Sequence, residues 1–285
     1  MKNISSVWSW QHRLLSPLYW YQAKQVKRDT LRLDEPKGAR EGVTAFITPT
    51  TNNDLPLRLL VLGDSAAAGV GVAHQSQALL GQLVTALSEQ PLLASQYAYI
   101  DWQLHATSGH TSFELLQRLY IMPSLAVDIA VISIGVNDTV KNISPKHWQH
   151  NIQAIIAILQ RKFQAKHIVF MGLPPMQQMP ALPKPLNYLI GDMASRLDHA
   201  LQQQITQTTV VKSSIDYPVM QSSTTQTTAA IANTRSHVHF LAIHIPTSDI
   251  SRQQLFAKDG FHPSALTYGH WAQQIQLFMV YHLVK

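Results

Sequence analysis

Gly63-Asp64-Ser65 stands where an apolar run ends, in the stretch LRLLVLGDSAAAGVGV at residues 57–72. A hydroxyl delivered at the end of a buried strand, followed only by small residues, can cap a helix or serve as a nucleophile. Three glycine-rich readings of this stretch each fail on one residue. A phosphate-binding loop needs Gly-Lys-Ser/Thr, and here Gly69 is followed by Val70. A dinucleotide fingerprint starting at Gly69 would need glycine or alanine at position 74, which is His74. The G-x-S-x-G elbow would need glycine at position 67, which is Ala67.

A nucleophilic serine requires a base, a group to orient that base, and donors for an oxyanion. The chain offers all three elsewhere. Asn137 in SIGVNDT follows one apolar run, and Gly109 in ATSGHTS follows another, where its N–H is unobstructed by a side chain. In FAKDGFHPS, Asp259 precedes His262 by three residues, so a turn can bring the carboxylate to one imidazole nitrogen. Pro263 is suited to open a helix after them.

The elements that must carry these residues alternate along the chain. Apolar or β-branched runs at 57–62, 97–104, 127–135, 167–172 and 237–243 predict strands. Amphipathic stretches at 75–89, 111–121, 145–163, 186–204 and 264–283 predict helices. This alternation predicts an α/β fold with a mostly parallel sheet and a ligand site at the carboxyl ends of its strands. Residues 205–236, rich in Thr, Ser and Gln, read as a flexible surface insertion.

Taken together, the blocks Gly63-Asp64-Ser65, Gly109, Gly135-Val136-Asn137-Asp138 and Asp259-Gly260-Phe261-His262 resemble those of the SGNH hydrolases, the GDSL-type esterases and lipases. The resemblance covers about residues 57–283. It implies a three-layer α/β/α sandwich of flavodoxin-like type. Ser65 would be the nucleophile, His262 the general base and Asp259 the group that orients it. The N–H groups of Ser65 and Gly109 and the Asn137 amide would form the oxyanion hole. The implied reaction is hydrolysis of a small-molecule carboxylic ester through an acyl-enzyme, with no metal or organic cofactor. The small residues of SAAAG and the loop LPPMQQMPALP suggest an apolar cleft for short or medium acyl chains or a lysophospholipid. One alternative is a carbohydrate O-acetylesterase with a polar cleft. The alternative from another class is a binding protein that kept the fold and lost turnover.

Other residues carry simpler readings. Asp64 is expected to be a structural carboxylate bonded to nearby backbone. His237, His239 and His244 invite a metal reading, but no carboxylate lies at a ligand-like spacing. His270 is expected to be structural, and the sequon at Asn137 is a poor glycosylation acceptor inside a crevice. With no cysteine, the chain has no disulfide and no thiolate chemistry.

Charge is concentrated at the start. Residues 1–40 hold eight basic and three acidic side chains, five of the six formal positive charges. The nearly neutral remainder argues against a nucleic-acid partner. Residues 1–54 read as a basic, aromatic arm ahead of a hydrolase-like domain at 55–285, with no role in the motif chemistry. Its aromatic residues are expected to pack on the domain, and a peripheral contact of residues 1–35 with an anionic membrane is the alternative. Without a convincing signal peptide the expected location is cytoplasmic.

Overall fold

A computed structural model describes residues 15–48, 51, 54–213, 236–245 and 250–283. Six strands form one sheet: β1 (Glu41–Ala45), β2 (Pro56–Gly63), β3 (Tyr99–Ala106), β4 (Ile129–Ser133), β5 (His167–Met171) and β6 (His237–Leu241). Their order is β1-β3-β2-β4-β5-β6; β1 runs antiparallel to β3 and every other pair is parallel. The helices are α1 (Ser16–Asp29), α2 (Ser65–Ala68), α3 (Leu79–Ser88), α4 (Pro91–Ala94), α5 (Ser112–Ile121), α6 (Val136–Val140), α7 (Pro145–Arg161), α8 (Leu186–Ser213), α9 (Arg252–Leu255) and α10 (Ala265–Leu283).

Strand periodicity divides the core into two layers. Leu60 and Leu62 of β2, Ala130 and Ile132 of β4, and Ile168 and Phe170 of β5 face α5, α7 and α8. The alternate residues Leu59, Val61, Ile129, Val131, Val169 and Met171 face α3 and α10. Because side chains alternate along a strand, a run apolar at every position must be covered on both faces. The result is the α/β/α sandwich. α7 illustrates the local logic: Ser144 accepts the His147 N–H at 3.3 Å and Pro145 opens the helix. Its buried Trp148, Ile152, Ile155, Ile156 and Leu159 then recur at helical spacing toward the sheet.

Among the departures from the sequence expectations, three are larger than a shift of one or two residues at an element's end. Glu41–Ala45 lies within the stretch read as an arm, yet it joins the sheet edge, with Trp102 Nε1 donating to Thr44 Oγ1 at 3.0 Å. The helix expected over 75–89 is a 3-10 turn at Gln75–Gln77 followed by α3, separated by Ala78 in an extended conformation. α8 continues to Ser213, into the stretch read as an insertion from 205; residues 214–235 lie outside the described residues.

Candidate active site

The chain passes from β2 to β3 on one side and then crosses to β4 on the other. Such a reversal opens a crevice at the carboxyl ends of the strands. Here the ends are level, since Gly63 of β2 pairs with Ala106 of β3 and with Ser133 of β4. Ser65, Gly109 and Asn137 follow those three residues within a few positions. With neighbouring strands about 4.8 Å apart, the topology gathers all three blocks at one edge.

β2 turns sharply into α2 at Gly63. Its φ is +150°, and a Cβ there would lie 1.9 Å from the Ser133 carbonyl oxygen, so only glycine fits. Asp64 caps α2: its Oδ1 accepts the Ala66 N–H at 3.1 Å. The carboxylate is therefore structural, as expected, and burial pushes its pKa up to about 7. Ser65 occupies the first position of the helix, nearly buried.

The base and its partner sit on a clamped loop. A backbone bridge between Phe256 and Pro263 closes it, with the Ala257 N–H donating to the His262 carbonyl at 2.8 Å. Within it, Asp259 Oδ1 accepts the N–H groups of Phe261 and His262 at 2.9 and 3.0 Å. Asp259 Oδ2 lies 2.5 Å from His262 Nδ1, and His262 Nε2 lies 2.9 Å from Ser65 Oγ. Burial works to raise the Asp259 pKa, but the hydrogen bonds from the His262 ring and from both amides hold it below the ordinary range. The carboxylate stays ionised and fixes the proton of the imidazole on Nδ1, leaving Nε2 free to accept the serine proton. The Tyr268 hydroxyl, donating to the Val70 carbonyl at 2.7 Å, ties α10 to the chain just after α2.

The Gly109 φ is +85°, and a Cβ there would meet nothing within 4 Å, so its backbone borders open space. Among the described residues, the N–H groups of Ser65 and Gly109 donate to no other protein group. Asn137 Nδ2 donates to the His110 carbonyl at 3.0 Å, which joins the β3 and β4 loops. Asp138 reinforces that junction: its oxygens accept the Ser112 N–H and hydroxyl at 2.9 and 2.6 Å. Asn151 of α7 also donates to the Ser112 hydroxyl, at 2.8 Å. A hydroxyl, an imidazole and a carboxylate in line, beside free N–H groups, can activate a nucleophile and hold a developing oxyanion.

Two residues missed from the sequence brace this rim from the supposed arm. Glu35 Oε1 accepts the Ser108 N–H at 2.8 Å, and Arg40 bonds both Glu35 and the Ala106 carbonyl. The arm thus reaches the site's edge, although neither residue touches Ser65, His262 or Asp259. An Arg and a Glu five residues apart form no motif, so nothing in the sequence marked them. The histidines read for metal fall elsewhere. His237 and His239 share one face with His167, whose Nδ1 lies 3.3 Å from His239 Nε2. Among the described residues no group of three or more His, Asp or Glu side chains is arranged to hold a metal ion. His270 contacts Gln274 on α10, its Nε2 at 3.0 Å from the Gln274 amide nitrogen.

A small apolar crevice of about 20 Å³ opens beside Ser65 and His262, lined by Ala66, Val136, Met179, Phe256 and Trp271. A larger cavity of about 1090 Å³ shares Pro174 and Ile245 with it. Five glutamines, Gln82, Gln177, Gln178, Gln273 and Gln274, line that larger space, together with Asp198, His244, His270 and apolar residues such as Leu173 and Ile243.

The fold and this edge are those of an SGNH-type hydrolase. The GDSL-like lipase/acylhydrolase family profile matches residues 61–270, and the chain belongs to that family, whose membership implies a catalytic triad. Among solved structures it is similar to a Clostridium thermocellum family 3 carbohydrate esterase: 13% identity, TM-score 0.52, covering 81% of this chain and 100% of that one. A family 2 carbohydrate esterase from Corynascus thermopiles matches at 13% identity and TM-score 0.54, covering 83% of this chain and 68% of that one. A protein described as a GDSL-like lipase from Bacteroides ovatus matches at 14% identity and TM-score 0.50 over 81% of this chain. The chain spans only 55% of that last protein's length. A search of curated proteins returned no match.

Proposed function

We propose that the protein is a serine esterase that cleaves short-chain carboxylic esters through an acyl-enzyme. The observation that carries this reading is the unbroken chain from Ser65 Oγ to His262 Nε2 at 2.9 Å and from His262 Nδ1 to Asp259 at 2.5 Å. Ser65 attacks the ester carbonyl while His262 takes its proton and then passes it to the leaving alcohol. Asp259 holds the ring and offsets the imidazolium charge. The N–H groups of Ser65 and Gly109 and the Asn137 amide receive the oxyanion. Water then enters and attacks the acyl carbon while His262 takes its proton; His262 returns that proton to Ser65 Oγ as the acyl–oxygen bond breaks, and the acyl group leaves as the acid. The crevice beside Ser65 is small, about 20 Å³, and apolar, which favours short chains over the medium ones the sequence also allowed.

A second reading, removal of O-acetyl groups from a carbohydrate, is favoured by the adjoining glutamine-lined cavity. Neutral amides suit a polyhydroxylated alcohol, and the space exceeds what a simple alcohol needs. The two readings share one acyl site and differ in the alcohol. Fluorophosphonate labelling and a chain-length series of p-nitrophenyl esters test the first. Wild type should label and prefer the shortest esters, and Ser65→Ala should lose labelling and at least about 10³-fold in rate. Labelling that survives the substitution refutes the assignment of Ser65. Faster release of acetate from acetylated sugars than from p-nitrophenyl acetate supports the second reading.

A further inference from the structure

α1 holds the body by one narrow stripe and turns the rest of its circumference outward. Tyr19 packs on Leu186 and Leu189 of α8. The Gln22 amide donates to the Lys184 carbonyl at 2.7 Å and accepts the Leu186 N–H at 3.2 Å. Packing of the arm's aromatic residues on the domain holds for Tyr19 but not for its neighbours. Trp20 is 62% and Tyr21 61% exposed. At about 100° per residue, Trp20, Tyr21, Lys24, Lys27 and Arg28 fall within an arc of about 120° opposite the Tyr19–Gln22 stripe. All five are exposed.

The chemistry of this face is specific. The Lys24 ammonium sits 3.7 Å from the Trp20 ring centroid, so cation and aromatic surface are presented together. The single carboxylate of α1, Asp29, is bonded to Arg28 at 2.6 Å. Exposed Lys184 and Lys258 flank the helix on neighbouring loops. The far end of α1, at Gln25, Val26 and Asp29, shares a cavity with Pro180 and Asp259, so the helix borders the loop that carries the site's carboxylate.

We propose that this face of α1 docks on an anionic lipid bilayer. The helix lies in the plane of the interface, with Trp20 and Tyr21 among the headgroups and Lys24, Lys27 and Arg28 against lipid phosphates. No described helix is long and apolar enough to cross a membrane, which fits a surface contact. The charge is complementary to a lipid phosphate surface and repels a second copy of the same face. A nucleic acid would call for an excess of cations across the domain, and beyond residue 40 the 14 basic side chains are offset by 13 acidic ones.

The full-length protein is sedimented with phosphatidylcholine vesicles, alone or containing phosphatidylglycerol, at low and high salt. Anionic vesicles should bind at least about tenfold more tightly than neutral ones, and salt should weaken the contact. Trp20→Ala with Tyr21→Ala, and Lys24→Glu with Lys27→Glu, should each weaken binding about tenfold or more. Both pairs should keep the wild-type melting temperature and activity on a soluble ester. Ser65→Ala should bind as wild type does, so that docking and hydrolysis fail separately. Equal binding to neutral vesicles, or wild-type binding by both variant pairs, overturns the proposal. So does a dimer in size-exclusion chromatography that Trp20→Ala dissolves, or capture by a duplex oligonucleotide without vesicle binding.

Discussion

The Asn137 side chain carries two amide hydrogens, and the His110 carbonyl engages its nitrogen at 3.0 Å. That bond uses one hydrogen, and in the proposed mechanism the second meets the developing oxyanion. Asn137→Ala should therefore lower kcat about 10²- to 10³-fold with little change in KM, measured on p-nitrophenyl acetate. Asp64 supports the same edge differently. Its pKa is pushed up to about 7 from an ordinary 3.8, so the fold favours the protonated acid. The corresponding stability is whole below pH 3.8 and is lost as pH rises through about 7. Asp64→Asn cannot titrate. Urea unfolding should show a flatter stability profile for that variant across this window, and an unchanged slope would show that Asp64 is ionised in the fold.

At the scale of elements, the opposite end of the sheet holds a stack of imidazoles. The His167 and His239 rings lie 5.5 Å apart and nearly parallel, with His237 beside them and His282 of α10 4.5 Å from His239. Burial first, and then the neighbouring imidazoles, lower the His167 and His239 pKa values to about 4. Folding thus favours neutral rings: their contribution is whole above pH 6.5 and is lost as pH falls toward 4. Lys166 adds to the burden on His167, and Asp128, which Lys166 contacts at 2.8 Å, partly relieves it. His239→Phe, beside Phe278, should reduce the loss of melting temperature between neutral pH and pH 5. The sequence showed that His237 and His239 share a face, but it could not bring His167 and His282 to them. The same boundary between local and tertiary information runs through the fold. Strands apolar at every position, such as β2 and β4, were legible, as were the helices behind them. β1 was not: EGVTA is short, half exposed and paired along one edge only, so its pattern comes from Trp102 and β3. The triad was legible because each member lies in a compact block, whereas the Glu35–Arg40 brace exists only once β1 has docked.

For the whole molecule, polarity has a direction. The carboxyl ends of β2, β3 and β4 carry the hydroxyl, the open N–H groups and the amide, and α1 with its cations borders the same margin. The imidazole stack at the other end contributes to stability toward acid. The two can be altered separately, because residues this far apart share no partners and their effects add. The clamped loop from Phe256 to Pro263 also sets an order in time. Ser65 and His262 are 197 positions apart, so a chain being synthesised displays its hydroxyl long before any base can reach it. On the proposed mechanism, the growing polypeptide would carry an unactivated hydroxyl, and reactivity toward esters would wait for the Phe256–Pro263 loop.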